Sequence, residues 1–242
     1  MEQKSYLLPG SILLAAIVVA GALVYNTGTK SGTPTENNNE PQGSNLSVDE
    51  IKTALAEAGK SRIYLGDPKA PVHFVEFGDF QCPFCGKFHK EAVNDLKKDY
   101  IATGKVKMTY IDLAFLGEES IKSAEAAQCA GDQNQYWKYY DFLYTYLWDN
   151  YYAQNKSGEN AGVFADDHLK KFAKDLGLDA TKFNECFDSR KFKSKVEESQ
   201  TVAQKVLGDQ ISTPTSFVNG RIISGALPYA QLKKLIDEEL AK

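Results

Sequence analysis

Residues 72–85 read VHFVEFGDFQCPFC, and this stretch decides the fold. Its first half is dominated by β-branched and aromatic residues, which is typical of a buried strand. The strand runs straight into Cys82, after which apolar residues recur at helical spacing to about residue 100. Residues 105–112 return to a strand pattern. This order predicts a strand–helix–strand unit with two parallel strands, and therefore an α/β fold.

The segments that flank this unit extend the same fold. Residues 47–59 predict a short helix opened by a capping box. Residues 118–207 contain no convincing strand, and turn-forming residues divide them into four or five helices. Segments 215–218 and 221–224 have strand character and flank an Asn-Gly pair, which is a strong hairpin signal. Pro228 then opens a last amphipathic helix.

The N-terminal part of the chain differs from the rest. Residues 7–24 form a run of eighteen positions without a charge, which is close to the ~20 apolar residues that cross a bilayer. We expect residues 1–25 to be a transmembrane signal anchor, with cleavage of a signal peptide near Ala22 as the alternative. Either way the rest of the chain would be exported. Residues 26–46 are rich in Gly, Ser, Thr, Asn and Pro and predict a flexible linker.

The composition excludes several classes of protein. The chain has 242 residues, of which 43% are hydrophobic and 25% charged, as is ordinary for a globular protein. Its 28 Lys and Arg against 32 Asp and Glu leave a net charge of −4, so the basic surface of a nucleic-acid-binding protein is not expected. Three histidines are too few for a histidine-rich metal centre. We predict no nucleic-acid partner, no metal and no cofactor.

The sequence Cys82-Pro83-Phe84-Cys85 carries the predicted chemistry. At a strand–helix junction Cys82 lies at a helix N-terminus, where free N–H groups and the helix dipole stabilise a thiolate. Pro83 suits the first helical position because its missing donor is not needed there. Cys85 lies about one turn further on, close enough to form a disulfide with Cys82. We therefore predict a reversible dithiol–disulfide pair, with Cys82 as the exposed nucleophile and Cys85 as the deeper partner.

Other roles for the cysteines are less well supported. A zinc site would need a second pair of ligands, but Cys129 and Cys186 stand 57 positions apart. A c-type haem site would need His directly after the second cysteine, where the chain has Gly86. Cys129 and Cys186 could be free buried thiols, but an exported chain meets an oxidising compartment. We expect them to form a structural disulfide.

Two stretches together, 76–85 (EFGDFQCPFC) and 212–220 (STPTSFVNG), resemble the DsbA-like thiol–disulfide oxidoreductases of the thioredoxin superfamily. The similarity is greatest to the membrane-anchored bacterial group and covers about residues 62–242. It implies a thioredoxin fold interrupted by a helical subdomain. The expected boundaries are 1–25 for the anchor, 26–46 for the linker, 47–117 for the first part of the thioredoxin-like domain, 118–207 for the inserted helical subdomain and 208–242 for the second part.

The resemblance also assigns roles to individual residues. It implies a cis-proline loop at Thr213-Pro214 beside the disulfide, which leaves the Thr213 backbone free to pair with an extended substrate. Glu76 corresponds to a buried acid that serves the disulfide as a proton relay, whereas the residue pattern alone also fits a surface acid at a strand end. The predicted substrate-contacting residues are Pro83, Phe84, Thr213 and Pro214. Phe84 stands where the best-known members have His, so their redox potential does not transfer.

The segment 136–152 holds ten aromatic side chains in seventeen positions, more than one helical face accommodates. We expect most of them to form core on both sides of a helix. The alternative is that some, such as Tyr151 and Tyr152, line an apolar groove for unfolded polypeptide. The charge run at 191–198 predicts only a solvated helix face.

These observations favour a membrane-tethered, extracytoplasmic dithiol oxidase that introduces disulfides into unfolded or reduced exported proteins through Cys82 and Cys85. By resemblance, its reoxidising partner is a quinone-linked membrane protein of the DsbB or VKOR type. One alternative is a disulfide reductase or isomerase of the same fold. The other is a membrane-tethered holdase, which binds polypeptide through the aromatic helical block and carries a merely structural dithiol.

Overall fold

The computed structural model describes residues 46–60 and 63–242 of the chain. Within these ranges a five-stranded sheet has the strand order β1-β3-β2-β4-β5. Strands β2 and β3 are parallel, and the other neighbouring strands are antiparallel. The predicted βαβ unit and C-terminal hairpin are confirmed. The strands are β1 (Tyr64–Leu65), β2 (Val72–Gly78), β3 (Val106–Asp112), β4 (Thr215–Val218) and β5 (Arg221–Ser224).

Helices cover both faces of this sheet. The helix that follows β2 is continuous over four segments, because two π-helical turns, His89–Val93 and Lys97–Ile101, alternate with α2 and α3. We call these four segments together the active-site helix. A short 3-10 turn, Tyr152–Gln154, follows α5. The α-helices are α1 (Val48–Lys60), α2 (Pro83–Phe88), α3 (Asn94–Leu96), α4 (Glu118–Gly131), α5 (Tyr136–Asn150), α6 (Asp166–Asp175), α7 (Ala180–Asp188), α8 (Lys193–Leu207) and α9 (Tyr229–Leu240).

The two faces of β2 bury different cores, because successive side chains of a strand point to opposite sides. Val75 and Phe77 pack with α1 and α8. Phe74 packs with the active-site helix, α5 and α9 on the other side. Glu76 shares the face of Phe74, so the strand directs a carboxyl group into the core that lies beneath the cysteines. A strand buried on both faces reads as a nearly continuous apolar run, as observed in the sequence.

Several element boundaries differ in detail from the prediction. The capping box is present, since the Glu50 amide donates to Ser47 Oγ at 3.3 Å and Glu50 Oε2 accepts from the Ser47 amide at 2.8 Å. Helix α1 continues one residue past Gly59. Strand β1 was not predicted, because two residues are too short to show a period of two. Its place is decided by pairing with the edge of β3.

The segment between β3 and β4 contains five α-helices in the structure, within the predicted number. The last of them, α8, returns to the sheet, where Ala203, Val206 and Leu207 pack with α1. No helix in the ranges 46–60 and 63–242 is long and apolar enough to cross a membrane. The predicted anchor, 1–25, and nearly all of the predicted linker, 26–46, lie outside the described residues.

Candidate active site

The structure places Cys82 and Cys85 at the start of the active-site helix. Cys82 is the N-cap residue and Pro83 the first helical residue. The Cys82 amide donates to the Asp79 carbonyl oxygen at 3.0 Å, and the Cys82 carbonyl accepts from the Gly86 amide at 3.0 Å. Both cysteines are free thiols, so the structure represents the dithiol form. Cys82 is less accessible than we expected, with 6% exposure, but Cys85 is wholly buried.

The two thiols differ strongly in acidity. A hydrogen bond from Cys85 is the largest effect on Cys82, and it lowers the pKa of Cys82 to about 6. Burial opposes this effect, while the Thr213 side chain and the backbone N–H groups of Phe84 and Cys85 add to it. Burial in turn raises the pKa of Cys85 well above its ordinary value. Near neutral pH the site therefore holds a thiolate at Cys82 and a thiol at Cys85.

The Thr213-Pro214 loop lies directly against the first sulfur. The Thr213–Pro214 peptide bond is cis. In its thiol form Cys82 donates to the Thr213 carbonyl oxygen, with Sγ and oxygen 3.4 Å apart. Pro214 is buried and Thr213 half-buried. The loop reaches the cysteines because β4, which follows it, pairs with β2.

Glu76 is wholly buried beneath the pair. The strand register sets it opposite Tyr110 of β3 and Ser216 of β4. Its Oε2 accepts a hydrogen bond from the Tyr140 hydroxyl at 3.4 Å, whereas Oε1 and the Ser216 hydroxyl have no hydrogen-bond partner among the described residues. Burial raises the pKa of Glu76 to about 8, although the charge of Lys97 acts in the opposite direction. Of the two alternatives for Glu76, a buried acid or a surface acid at a strand end, the structure confirms the buried one.

A polar network behind Cys82 was missed by the sequence analysis. The Asp79 carboxylate accepts from the Ser120 hydroxyl at 2.7 Å and from the Gln81 amide at 2.8 Å. It also accepts from the two backbone amides that follow β3 at Phe115 and Leu116. No spacing rule marks Asp79, because apart from Gln81 its partners lie 36 to 41 positions further along the chain. The network holds the turn that delivers Cys82 to the helix N-terminus.

The aromatic residues of α5 divide between core and site. Four of the eight aromatic side chains in α5 are buried and the other four are partly buried. Of the buried ones, Tyr144 donates from its hydroxyl to the Asp79 carbonyl at 3.2 Å. Tyr152, just beyond α5, donates to the Gln81 carbonyl oxygen. Tyr152 also lines an open groove of about 380 Å³ beside the cysteines, together with Phe84 and Trp148. The core interpretation therefore applies to most of this segment. The groove interpretation holds for Tyr152 but is wrong for Tyr151, which packs against the core. Phe84, 63% exposed, forms the outer wall of the groove.

Cys129 and Cys186 form a disulfide between α4 and α7, with Cα atoms 5.8 Å apart. Both side chains are buried in the core that includes α5. Among residues 46–60 and 63–242, no group of three His, Cys, Asp or Glu side chains is arranged to hold a metal ion.

A cysteine pair at a helix N-terminus, beside a cis-proline and on a βαβ–ββα sheet, defines a class: thiol–disulfide exchange proteins of thioredoxin fold. A thioredoxin family model matches residues 58–238, and the chain belongs to this family. It is 30% identical over 183 residues to disulfide bond formation protein D of Bacillus subtilis, covering 75% of this chain and 78% of that protein. A relative in Bacillus cereus, a probable disulfide bond formation protein D, is 31% identical over 74% of this chain and 78% of its own length.

Solved structures agree with this assignment. The oxidised BdbD of Bacillus subtilis superposes with a TM-score of 0.66 at 27% identity, covering 76% of this chain and 95% of that chain. The DsbA of Chlamydia trachomatis shares the fold, with a TM-score of 0.64 at 21% identity over 74% of this chain and 91% of its own. The predicted resemblance to DsbA-like oxidoreductases is confirmed. The protein is a protein-disulfide oxidoreductase.

Proposed function

We propose that this oxidoreductase works as an extracytoplasmic dithiol oxidase, which passes the Cys82–Cys85 disulfide to reduced exported proteins. The observation that carries the proposal is the contrast between the lowered pKa of Cys82 and the raised pKa of Cys85. A stabilised thiolate favours the reduced pair over the disulfide, and this makes the disulfide form an oxidant. In a reductase the thiolate at this position is less strongly stabilised.

The size of this effect follows from the acidity of Cys82. A free cysteine has a pKa of about 8.5 and is mostly a thiol at neutral pH. With a pKa of about 6, Cys82 is mostly a thiolate there. The difference stabilises the reduced form by about 1.4 kcal/mol at pH 7, which raises the potential of a two-electron couple by about 30 mV.

The proposed reaction moves two electrons from the client to the enzyme. Of the two protons that the client loses, the equivalent of one ends on Cys85, and the other is released to solvent because Cys82 remains a thiolate. A client thiolate attacks the Cys82 sulfur, a client–Cys82 disulfide forms, and the Cys82–Cys85 bond breaks with Cys85 as the leaving thiolate. A second client thiolate then attacks the client sulfur of this mixed disulfide. The client disulfide forms, and Cys82 leaves as its stabilised thiolate.

Glu76 is proposed to provide the proton that Cys85 needs. Cys85 has a raised pKa, so the thiolate that leaves in the first step must be protonated quickly in a buried site. With a pKa of about 8, Glu76 carries a proton near neutral pH and can give it up. When the pair is reoxidised, the proton returns along the same route.

The surface around Cys82 is proposed to bind unfolded polypeptide. The Thr213 backbone lies beside the sulfur and offers hydrogen bonds to an extended segment. Pro83 and Phe84, together with Trp148 and Tyr152, form the apolar groove next to it. This arrangement suits clients whose cysteines are flanked by apolar residues that are still exposed because the client has not yet folded.

The location and partners are part of the same proposal. The names of the Bacillus relatives refer to disulfide bond formation, a process of oxidising compartments outside the cytoplasm. Residues 1–25 would tether the domain to the outer face of the cytoplasmic membrane. Since each turnover leaves the pair reduced, an electron acceptor is required, and a quinone-linked membrane protein of the DsbB or VKOR type would fill that role.

The direction of exchange can be tested with a reduced model client that has one native disulfide. The oxidised protein is mixed with the client in equal amounts, and the client disulfide is followed by mass spectrometry together with the potential of the pair against glutathione. We expect full transfer and a potential less negative than the ~−270 mV of thioredoxin. Phe115→Ala, which alters an exposed aromatic outside the groove, is a control that should transfer normally. A potential near that of thioredoxin would contradict the oxidase proposal and favour a reductase.

A further inference from the structure

Three titratable side chains meet where the π-helical turns of the active-site helix pack on α5. Lys97 forms an ion pair with Asp141 through its Nζ, and His89 Nε2 lies 2.8 Å from the same Asp141 oxygen. Lys97 exposes only 16% of its side chain, and His89 is buried. None of the three takes part in the exchange steps described above.

This cluster is connected to Glu76 through one buried aromatic ring. The Tyr140 hydroxyl donates to Glu76 Oε2, while Lys97 Nζ lies over the face of the same ring, 4.7 Å from its centroid. Among the described residues, Lys97 is the cation whose charge acts on Glu76. Its attraction favours the ionised carboxylate, whereas burial favours the protonated form.

Asp141 controls how much of that charge Glu76 experiences. It is 44% exposed and carries a negative charge next to Lys97, so it neutralises part of the lysine's field and holds Nζ over the Tyr140 ring. Hydrogen bonding from His89 and the charge of Lys97 outweigh burial and lower the pKa of Asp141. Burial lowers the pKa of His89, so His89 is neutral where Glu76 titrates.

We propose that the Lys97–Asp141 ion pair sets how readily Glu76 releases its proton beneath Cys85, and that both are positioning residues for disulfide exchange. The inference rests on the proposed role of Glu76 as proton donor. Lys97 belongs to the active-site helix and Asp141 to α5 of the helical insertion, so the insertion supplies part of the electrostatic environment of the redox site. The segment 118–207 then does more than shape a groove.

The remaining groups around Glu76 do not provide this control. They come from the start of the active-site helix and from β3, β4 and α5. All of them except the Cys82 thiolate are uncharged near neutral pH. The negative charge of that thiolate opposes ionisation of Glu76. These groups are Cys82, Cys85, Tyr110, Ser216, Tyr140 and Tyr144.

The two partners of the ion pair should have opposite effects on Glu76. Lys97→Met keeps the aliphatic stem but removes the positive charge, so the pKa of Glu76 should rise. Asp141→Asn removes the neutralising charge and leaves the lysine unscreened, so the pKa of Glu76 should fall. Each shift should be about one pH unit, the ordinary spread of such perturbations in folded proteins. A merely structural role would not separate the two variants by sign.

The measurement is the pH titration of the Glu76 carboxyl carbon by NMR, in the reduced full-length protein labelled with ¹³C-glutamate and assigned with Glu76→Gln. The matched controls are Lys90→Met and Asp149→Asn. Lys90 and Asp149 form an ion pair between the same two elements at 3.3 Å, but both are half-exposed. These controls should leave the Glu76 titration unchanged.

Opposite shifts in the two variants, with unchanged controls, would support the proposal. Shifts of the same sign, or no shift in folded protein, would overturn it. Near-ultraviolet circular dichroism of each variant verifies the fold. Because the titration needs no client, a protein that shows opposite shifts but fails to oxidise clients would count against the oxidase proposal alone.

Discussion

The chain contains two cysteine pairs, and exposure does not distinguish them. Cys82 exposes 6% of its surface and Cys186 exposes 8%. Their positions in helices are opposite. Cys82 caps the N-terminus of the active-site helix, whereas Cys129 and Cys186 both lie in the last turn of their helices, α4 and α7.

We infer from this difference that helix polarity separates the proposed exchanging pair from the structural one. A helix N-terminus presents N–H groups that stabilise a thiolate, and a C-terminus presents carbonyl oxygens that destabilise it. Reduction of the Cys129–Cys186 disulfide would have to release a thiolate at a C-terminus. Reduction of a Cys82–Cys85 disulfide leaves its thiolate at the favourable end, where Cys85 also donates to it.

The comparison is tested most severely by removing Cys82. We expect Cys82→Ser to abolish transfer of a disulfide to a reduced client, because no thiolate remains at the helix N-terminus. The double variant Cys129→Ala/Cys186→Ala should retain transfer in the same stopped-flow or mass-spectrometric assay. If the double variant lost transfer while it remained folded, the second pair would belong to the redox machinery.

The second pair should matter for stability instead. Its disulfide joins residues 57 positions apart, and the loop-entropy estimate for such a link is about 4 kcal/mol. We expect Cys129→Ala/Cys186→Ala to lose about that free energy of unfolding in urea at pH 7. The pKa of Cys82, followed by thiolate absorbance, should stay at about 6. A change in both quantities would contradict the separation of roles.

The buried acid under the first pair should give the protein a distinct dependence of stability on pH. The pKa of Glu76 is about 8 in the folded protein and 4.5 without burial, so the folded state binds this proton more tightly. Its stabilising contribution is complete below the lower value and is lost as pH rises through about 8.

We therefore expect Glu76→Gln to be more stable than the wild type above this range, by up to about 5 kcal/mol in the reduced protein. The measurement is urea unfolding at several pH values. The difference between variant and wild type is the quantity to compare, because Cys82 titrates in the same region with the opposite sign. A constant difference between acidic and alkaline pH would show that Glu76 titrates as an ordinary acid.

Within the first pair, alkylation should distinguish the two sulfurs. At pH 7 Cys82 is mostly thiolate and Cys85 almost entirely thiol. We expect iodoacetamide to modify Cys82 at least about a hundred times faster than Cys85, since only the thiolate reacts. Peptide mapping after brief exposure of the reduced protein measures the ratio. Preferential modification of Cys85 would reverse the roles assigned to the two residues.

The smallest expected effect sharpens the account of the N-terminal site. Phe84→His places a side chain that can carry positive charge one residue before Cys85, so the pKa of Cys82 should fall further. The couple should become more oxidising by up to about 30 mV, since most of the Phe84 side chain is exposed and solvent screens the new charge. Phe84→Leu is the neutral control. Equal potentials for the two variants would leave the helix terminus and Cys85 as the sources of thiolate stabilisation.

Much of the fold and the redox pair could be predicted from local sequence patterns. The strand at β2, the helix that starts after Cys82, the capping box at Ser47 and the β4–β5 hairpin all depend on residues close together in the chain. Such features follow from short-range sterics and from side-chain periodicity. The Cys-x-x-Cys pair belongs to the same group, because one helical turn brings its members together.

The tertiary structure alone decided the groups that are distant in sequence. Sequence left Glu76 open between a buried and an exposed acid, and the arrangement of β3, β4 and α5 around β2 buries it. The distant partners of Asp79 lie 36 to 41 residues from it, and Lys97 and Asp141 are 44 residues apart. No local propensity encodes such contacts, because they form only when the insertion packs on the active-site helix. The local sequence therefore determined which cysteine lies at the helix N-terminus, whereas only the packed fold determined that an acid is buried beneath the pair.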